Sequence, residues 1–318
     1  MIEMSRKHKF SLFFTLMLVF SFFAGCAGKA TVADSIKPAP ASPASSQVRK
    51  SAGEYVELAD IAIDRGELDE ALDLCKKALE QDPKKGEAYF LIGVVNVKAG
   101  NHDIALQNLQ QALKLDPKIS MARAHIASIY YSMGRFEESI KEMDKVIEKT
   151  KRDALFYNHR GLAHLMTGNR EKALLDFDNA IRQEPEDAAA YDNRAFLKII
   201  DGQFDEAEAD LEKAQKLDPD MGNPYETRAL MQIIRGNLED ARSNASKALE
   251  LNPDLLFAHF FLGLISQKQG DEQSARQSFE KGMAANRKAQ GETLHVLDAL
   301  SKRYPNTETG KIFRLLKK

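Results

Sequence analysis

The chain has 318 residues, 43% of them hydrophobic, and its 45 Lys and Arg stand against 47 Asp and Glu. That length can bury a sizeable core, while the balanced charge leaves no basic excess for a nucleic-acid backbone as the main partner. The two cysteines, Cys26 and Cys75, lie far apart and exclude a disulfide framework. Cys75 reads as a small apolar residue on the inward face of a helix.

The chain opens with Arg6, Lys7 and Lys9, followed over residues 10–23 by FSLFFTLMLVFSFF. This is the basic region and apolar core of a signal peptide, and the run is shorter than the roughly 20 residues that span a bilayer. Phe23, Ala24, Gly25 and Cys26 then resemble a bacterial lipobox, with Phe23 standing where that family usually carries Leu. The resemblance implies a signal peptide over residues 1–25 and a diacylated Cys26 as the new amino terminus. Ala27, in place of Asp, implies an outer-membrane anchor facing the periplasm, with inner-membrane anchoring or secretion as the alternatives. More than one acyl chain is what makes such an anchor stable. Residues 26–51 carry the lipidated cysteine and a stretch rich in Pro, Ala and Ser, with Pro38, Pro40 and Pro43 closely spaced. Such a segment buries too little to fold and reads as an extended tether.

From residue 52 the sequence repeats every 34 residues, with starts at 52, 86, 120, 154, 188, 222 and 256 and no insertion through residue 289. Position 15 is glycine in all seven repeats, from Gly66 to Gly270. A glycine there ends one helix in a left-handed turn, and the next residue, as in Asn101, Asn169, Asn237 and Asp271, reads as the start of a second helix. Position 8 is always Ala or Gly, and position 20 is Ala except for Ser139, so two antiparallel helices can approach closely. Position 32 is proline except at Lys151 and Arg287, and disfavours helix in the residue before it.

Helix, glycine turn, helix and proline at this period resemble the tetratricopeptide repeat. The aromatic expected at position 4 is met by Tyr55, Tyr89, Tyr157, Tyr191 and Tyr225, while Arg123 and His259 depart from it. The resemblance implies an all-α fold, a right-handed superhelical solenoid of seven helix-turn-helix repeats over residues 52–289, closed at 290–318 by a capping helix and a basic amphipathic tail. Leu294, Leu297 and Leu300 suit a helix laid on the apolar edge of the last repeat.

In that family the first helices line a concave groove. Repeats four to six would present there a polar row, Asn158, Asp192 and Glu226, beside apolar rows of Leu162, Phe196 and Leu230 and of Leu165, Ile199 and Ile233. Such a surface suits an extended or helical peptide. No repeat combines lysine at position 5 with asparagine at position 9, the pair that marks the cochaperone carboxylate clamp, so recognition of an acidic chain end is not implied. The implied function is a membrane-anchored scaffold that binds an envelope protein or peptide and supports assembly or secretion of an envelope complex. The alternative is a self-assembling structural module with no dedicated peptide ligand.

No signature of catalysis accompanies the repeats: GxSxG, a P-loop lysine and HExxH are all missing. His159 and His164 are five residues apart and so lie on different helix faces, with nothing nearby to complete a metal set. Neither a cofactor nor a metal is expected. Arg160, Arg194 and Arg228 replace the apolar residue at position 7 in three successive repeats. Asp176, Asp210 and Asn244 on the facing helices are their expected partners.

Overall fold

The computed structural model describes residues 50–150, 153–288 and 292–316. The signal sequence, Cys26, nearly all of the tether and the last two lysines lie outside the described residues. Among the described residues all regular structure is helical, and no helix is long and apolar enough to cross a membrane.

The chain divides into two compact units that meet between Pro117 and Lys118. The first, residues 50–117, holds α1 (Ala52–Asp64), α2 (Leu68–Gln81), α3 (Gly86–Lys98) and α4 (His102–Leu115). Its core joins Ala59, Ala71, Cys75, Leu91 and Val95. The second begins with α5 (Ser120–Ser132), α6 (Phe136–Thr150), α7 (Ala154–Met166), α8 (Arg170–Gln183), α9 (Ala188–Ile200) and α10 (Phe204–Leu217). It continues through α11 (Asn223–Arg235), α12 (Leu238–Leu251), α13 (Leu256–Lys268), α14 (Glu272–Lys288), α15 (Glu292–Arg303) and α16 (Glu308–Leu316).

Local chemistry sets these boundaries. Ser51 and Glu54 form a reciprocal capping box before α1, which satisfies two backbone donors that the helix leaves unpaired. All seven turn glycines adopt φ between 72° and 83°, where a side chain would clash with the backbone. Where proline occupies position 32, the second helix ends on an extended residue such as Asp82 or Asp218. The two repeats without it, at Lys151 and Arg287, have the two longest second helices, of 15 and 17 residues.

The expected helix-starting asparagines behave differently. Asn101, Asn169 and Asn237 make no capping bond, because with ψ near 70° their amides turn back to the end of the preceding helix, onto Asn96, Thr167 and Gln232. Asp271 alone of the four caps its helix, accepting from the Ser274 N–H at 3.0 Å.

In three hairpins a glycine at position 8 makes room for a large side chain at position 24. A Cβ on Gly161 would stand 2.7 Å from Phe177, one on Gly263 2.5 Å from Phe279 and one on Gly93 2.6 Å from Leu109. Each phenylalanine at position 24 thus faces a glycine, and close packing leaves no room for a methyl group.

The carboxyl-terminal helices do not lie on the edge of the last repeat. α15 packs on α5 and α7, and α16 on α9 and α11, the first helices of repeats three to six. Met283 on the last repeat stays exposed, whereas Leu297, Leu300, Tyr304, Ile312 and Phe313 are buried. The gain from burial scales with the apolar area covered, and the inner face, with Phe196 and Phe257, offers α16 aromatic partners.

Candidate peptide-binding groove

The first helices α5, α7, α9, α11 and α13 are neighbours within the second unit. Together they form an inner face that α15 and α16 partly cover. Of the apolar positions expected there, Leu165, Ile199, Leu230 and Ile233 are buried in the core, and Leu162 and Phe196 are half-buried. Phe313 of α16 sits with its ring 6.2 Å from Phe196 and 5.5 Å from Phe257, distances at which aromatic pairs attract. Between the covering helices and the face remains a cavity of about 200 Å³, lined by Leu162, Phe196, Leu230, Val296, Leu300 and Phe313 among others.

The polar row is present and buried, and its groups tie each repeat to the next. Asn158 Oδ1 accepts from Asn193 Nδ2 at 2.9 Å, and Asp192 accepts from the Thr227 hydroxyl. Glu226 Oε1 accepts from the Ala258 N–H at 2.7 Å, and its carboxyl also takes the Phe257 N–H. Both donors belong to the first turn of α13, whose own N-cap residue, Leu255, has no capping side chain. A carboxyl at a helix amino terminus satisfies unpaired N–H groups, so Glu226 caps its neighbour from another helix.

Burial pushes the Asp192 carboxyl up to about 7, against the pull of the Thr227 hydrogen bond and the charge of Arg228. Burial pushes Glu226 up to about 8, opposed by the α13 amides and reinforced by Asp192. Asp192 Oδ1 has no hydrogen-bond partner. His159, which also lines the cavity, is pushed down to about 4 by burial.

The arginines at position 7 clamp second helices together. Arg160 grips Asp176 through Nε at 2.8 Å and Nη2 at 2.7 Å, and reaches back to Asp144 at 2.7 Å. Arg194 does the same with Asp210, at 2.9 and 2.6 Å, and with Asp178 at 2.7 Å, while Lys198 adds a third donor to Asp210 at 2.7 Å. Such forked, charge-assisted bonds are strong and directional. Arg228 departs from the expected pairing. It binds Glu208 of the preceding repeat at 2.8 Å, while Asn244 donates to the Asp240 carbonyl of its own helix. An amide offers no charge to hold a guanidinium, and a carboxylate within reach takes it.

Sequence reading missed the ties made by position 5, although their signal was available. In repeats four and five the partners Asn193 and Thr227 stand 35 residues beyond Asn158 and Asp192, one step past the repeat period. Cys75 is buried, and burial pushes its thiol up to about 12. Among the described residues no three His, Cys, Asp or Glu side chains gather as metal ligands would.

Profiles of the tetratricopeptide repeat match residues 54–118, 96–160 and 188–221, and the chain therefore carries tetratricopeptide repeats. No curated protein matches the sequence. Among solved structures, a tetratricopeptide repeat protein from Parabacteroides merdae is 21% identical, with a TM-score of 0.65 over 80% of this chain and 99% of that one. A chain of the APC/C hetero-tetramer Cut9–Hcn1 is 17% identical, with a TM-score of 0.61 over 69% of this chain and 43% of that one. Both likenesses show the fold. MamA from Desulfovibrio magneticus is 20% identical, with a TM-score of 0.48 over 53% of this chain and 95% of that one.

Proposed function

We propose that this chain is a non-enzymatic adaptor, anchored through lipid on Cys26 to an envelope membrane, that holds a segment of another envelope protein against the inner face of residues 118–316. The observation that carries the reading is that this face receives a helical segment, α15 and α16, through apolar contacts made by its first helices. A surface built to hold one amphipathic helix suits the helix-in-groove mode of peptide recognition. Leu162 and Phe196 are the residues a ligand would reach, being half-buried beneath the covering helices. Asn158, Asp192 and Glu226 shape the floor through their ties between repeats. Leu165, Ile199, Leu230 and Ile233 support it from below.

The lipobox resemblance and Ala27 support a position at the outer membrane, facing the periplasm, in the service of assembly or secretion of an envelope complex. The purified mature chain is expected to capture a discrete envelope protein, and Leu162→Ala with Phe196→Ala to weaken that capture. Unchanged capture removes the inner face from consideration. Cys26→Ser is expected to abolish acyl labelling and release the protein from membranes, and retention of both contradicts the anchor.

A further inference from the structure

The carboxyl-terminal hairpin is shaped for the inner face. A Cβ on Gly310 would fall 1.8 Å from the Tyr304 carbonyl oxygen, so the turn into α16 closes only around glycine. Thr307 fastens the same turn, its hydroxyl donating to the Tyr304 carbonyl at 2.9 Å and accepting from the Gly310 N–H at 3.0 Å. Tyr304 is buried, and its hydroxyl donates to the Leu165 carbonyl of α7 at 2.7 Å. That carbonyl already accepts from the Gly168 N–H, so the tyrosine reads a groove backbone that is satisfied without it. At the rim Arg170 lies over the Tyr304 ring at 5.8 Å. The nearby pair of Arg303 and Glu137 is 3.8 Å apart and more than half exposed, a geometry that contributes little.

The fit is incomplete. A cleft of about 200 Å³, partly open to solvent, stays unfilled between hairpin and face. The cavity wall includes Asp192, whose Oδ1 is buried without a partner. The occupant therefore leaves both apolar contact and a hydrogen bond unmade at the centre of the site. A helix that fills this space has an advantage over the hairpin, whose own advantage is covalent attachment and the roughly millimolar effective concentration that attachment gives.

We infer that α15–α16 is a displaceable internal occupant of the groove, and that the partner presents an amphipathic helix with an aromatic anchor for the seat that Phe313 fills. This rests on the reading of the inner face as a binding surface. Binding then requires opening, and the apparent affinity is reduced by the fraction of molecules that are open.

The test uses the full mature chain and a fluorescent peptide of residues 292–316 added in trans. The peptide is expected to bind the Phe313→Asp chain at least ~tenfold more tightly than wild type, because the seat is then vacant. Tyr304→Phe, which keeps the ring and removes one hydrogen bond, is expected to tighten peptide binding about fivefold. A peptide that itself carries Phe313→Asp is expected to bind neither. Equal affinity for wild type and both variants overturns the inference, as does absence of binding to variants whose circular dichroism stays helical. If Phe313→Asp loses its helices, Tyr304→Phe decides alone. Concentration-dependent dimers with exchanged hairpins overturn it in favour of a second copy as occupant. Capture of the envelope partner that depends on Phe196 but is equal in wild type and Phe313→Asp rejects displacement and leaves the groove reading intact. Peptide binding as expected, with partner capture indifferent to Leu162→Ala and Phe196→Ala, rejects the groove reading and leaves internal occupancy intact.

Discussion

Replacing Asp176 with alanine separates a structural role for the arginine clamps from a role in binding. Asp176 is 2% exposed and takes both arms of the Arg160 fork. Its loss leaves the guanidinium with Asp144, whose side chain is 54% exposed. Removing one partner of a buried pair costs about 3–5 kcal/mol. Arg160 is itself 20% exposed, and solvent screening brings the expectation down to roughly 2–3 kcal/mol. For a unit of this size each kcal/mol lowers Tm by about 2–4 °C, so circular dichroism melts should show a fall of roughly 4–12 °C. The double variant Arg160→Leu with Asp176→Leu should recover much of the loss, because an apolar pair of similar volume avoids burying an unpaired charge. Partner capture by folded Asp176→Ala should match wild type at a temperature below its melting range. A melt within about 1 kcal/mol of wild type, or capture lost from a chain of undiminished stability, would refute the reasoning.

Other consequences follow from the buried carboxyls and the glycines. Burial holds Glu226 protonated to about 8 and Asp192 to about 7, so at these two groups the folded state binds more protons than the unfolded chain between roughly pH 4 and 8. Stability should therefore fall as pH rises above about 6.5, where His159, whose lowered pKa acts in the opposite sense at lower pH, is neutral in both states, and Glu226→Gln, which keeps an oxygen for the α13 amides, should flatten the slope. A Tm that climbs with pH there, or the same slope in the variant, contradicts the assignment. Gly263→Ala places a methyl group 2.5 Å from Phe279 and should cost about 1–3 kcal/mol by overpacking. Gly202→Ala meets open space at φ 77° and should cost about 1–2 kcal/mol from backbone strain alone. Urea titrations of both variants check the order, and a harmless Gly263→Ala would show that the hairpin contact is loose.

The punctuation of the repeats was legible because it depends on backbone chemistry that each residue carries alone. Glycine tolerates the left-handed turn, and proline stops the second helix, so the longer α6 and α14 follow from Lys151 and Arg287. What depended on choice between partners was harder to read. Arg228 chose Glu208 over Asn244, and asparagines that looked like caps turned to side chains behind them. The amphipathic character of residues 292–316 was plain, but two apolar surfaces competed to receive it, and periodicity does not rank them. The nine residues expected in the groove all lie on the first helices of repeats four to six. Their division into floor, ties and reachable surface came only with the packing of α16 over Phe196 and with the bonds of Asn158, Asp192 and Glu226.

Photo-crosslinking in intact cells tests the adaptor reading most directly. A photoreactive residue replaces Phe196 on the inner face in one strain and the exposed Glu212 on α10 in another. A discrete adduct with a second envelope protein from position 196, and none from position 212, is the predicted result. No adduct from position 196, or the same adducts from both positions, would contradict the account.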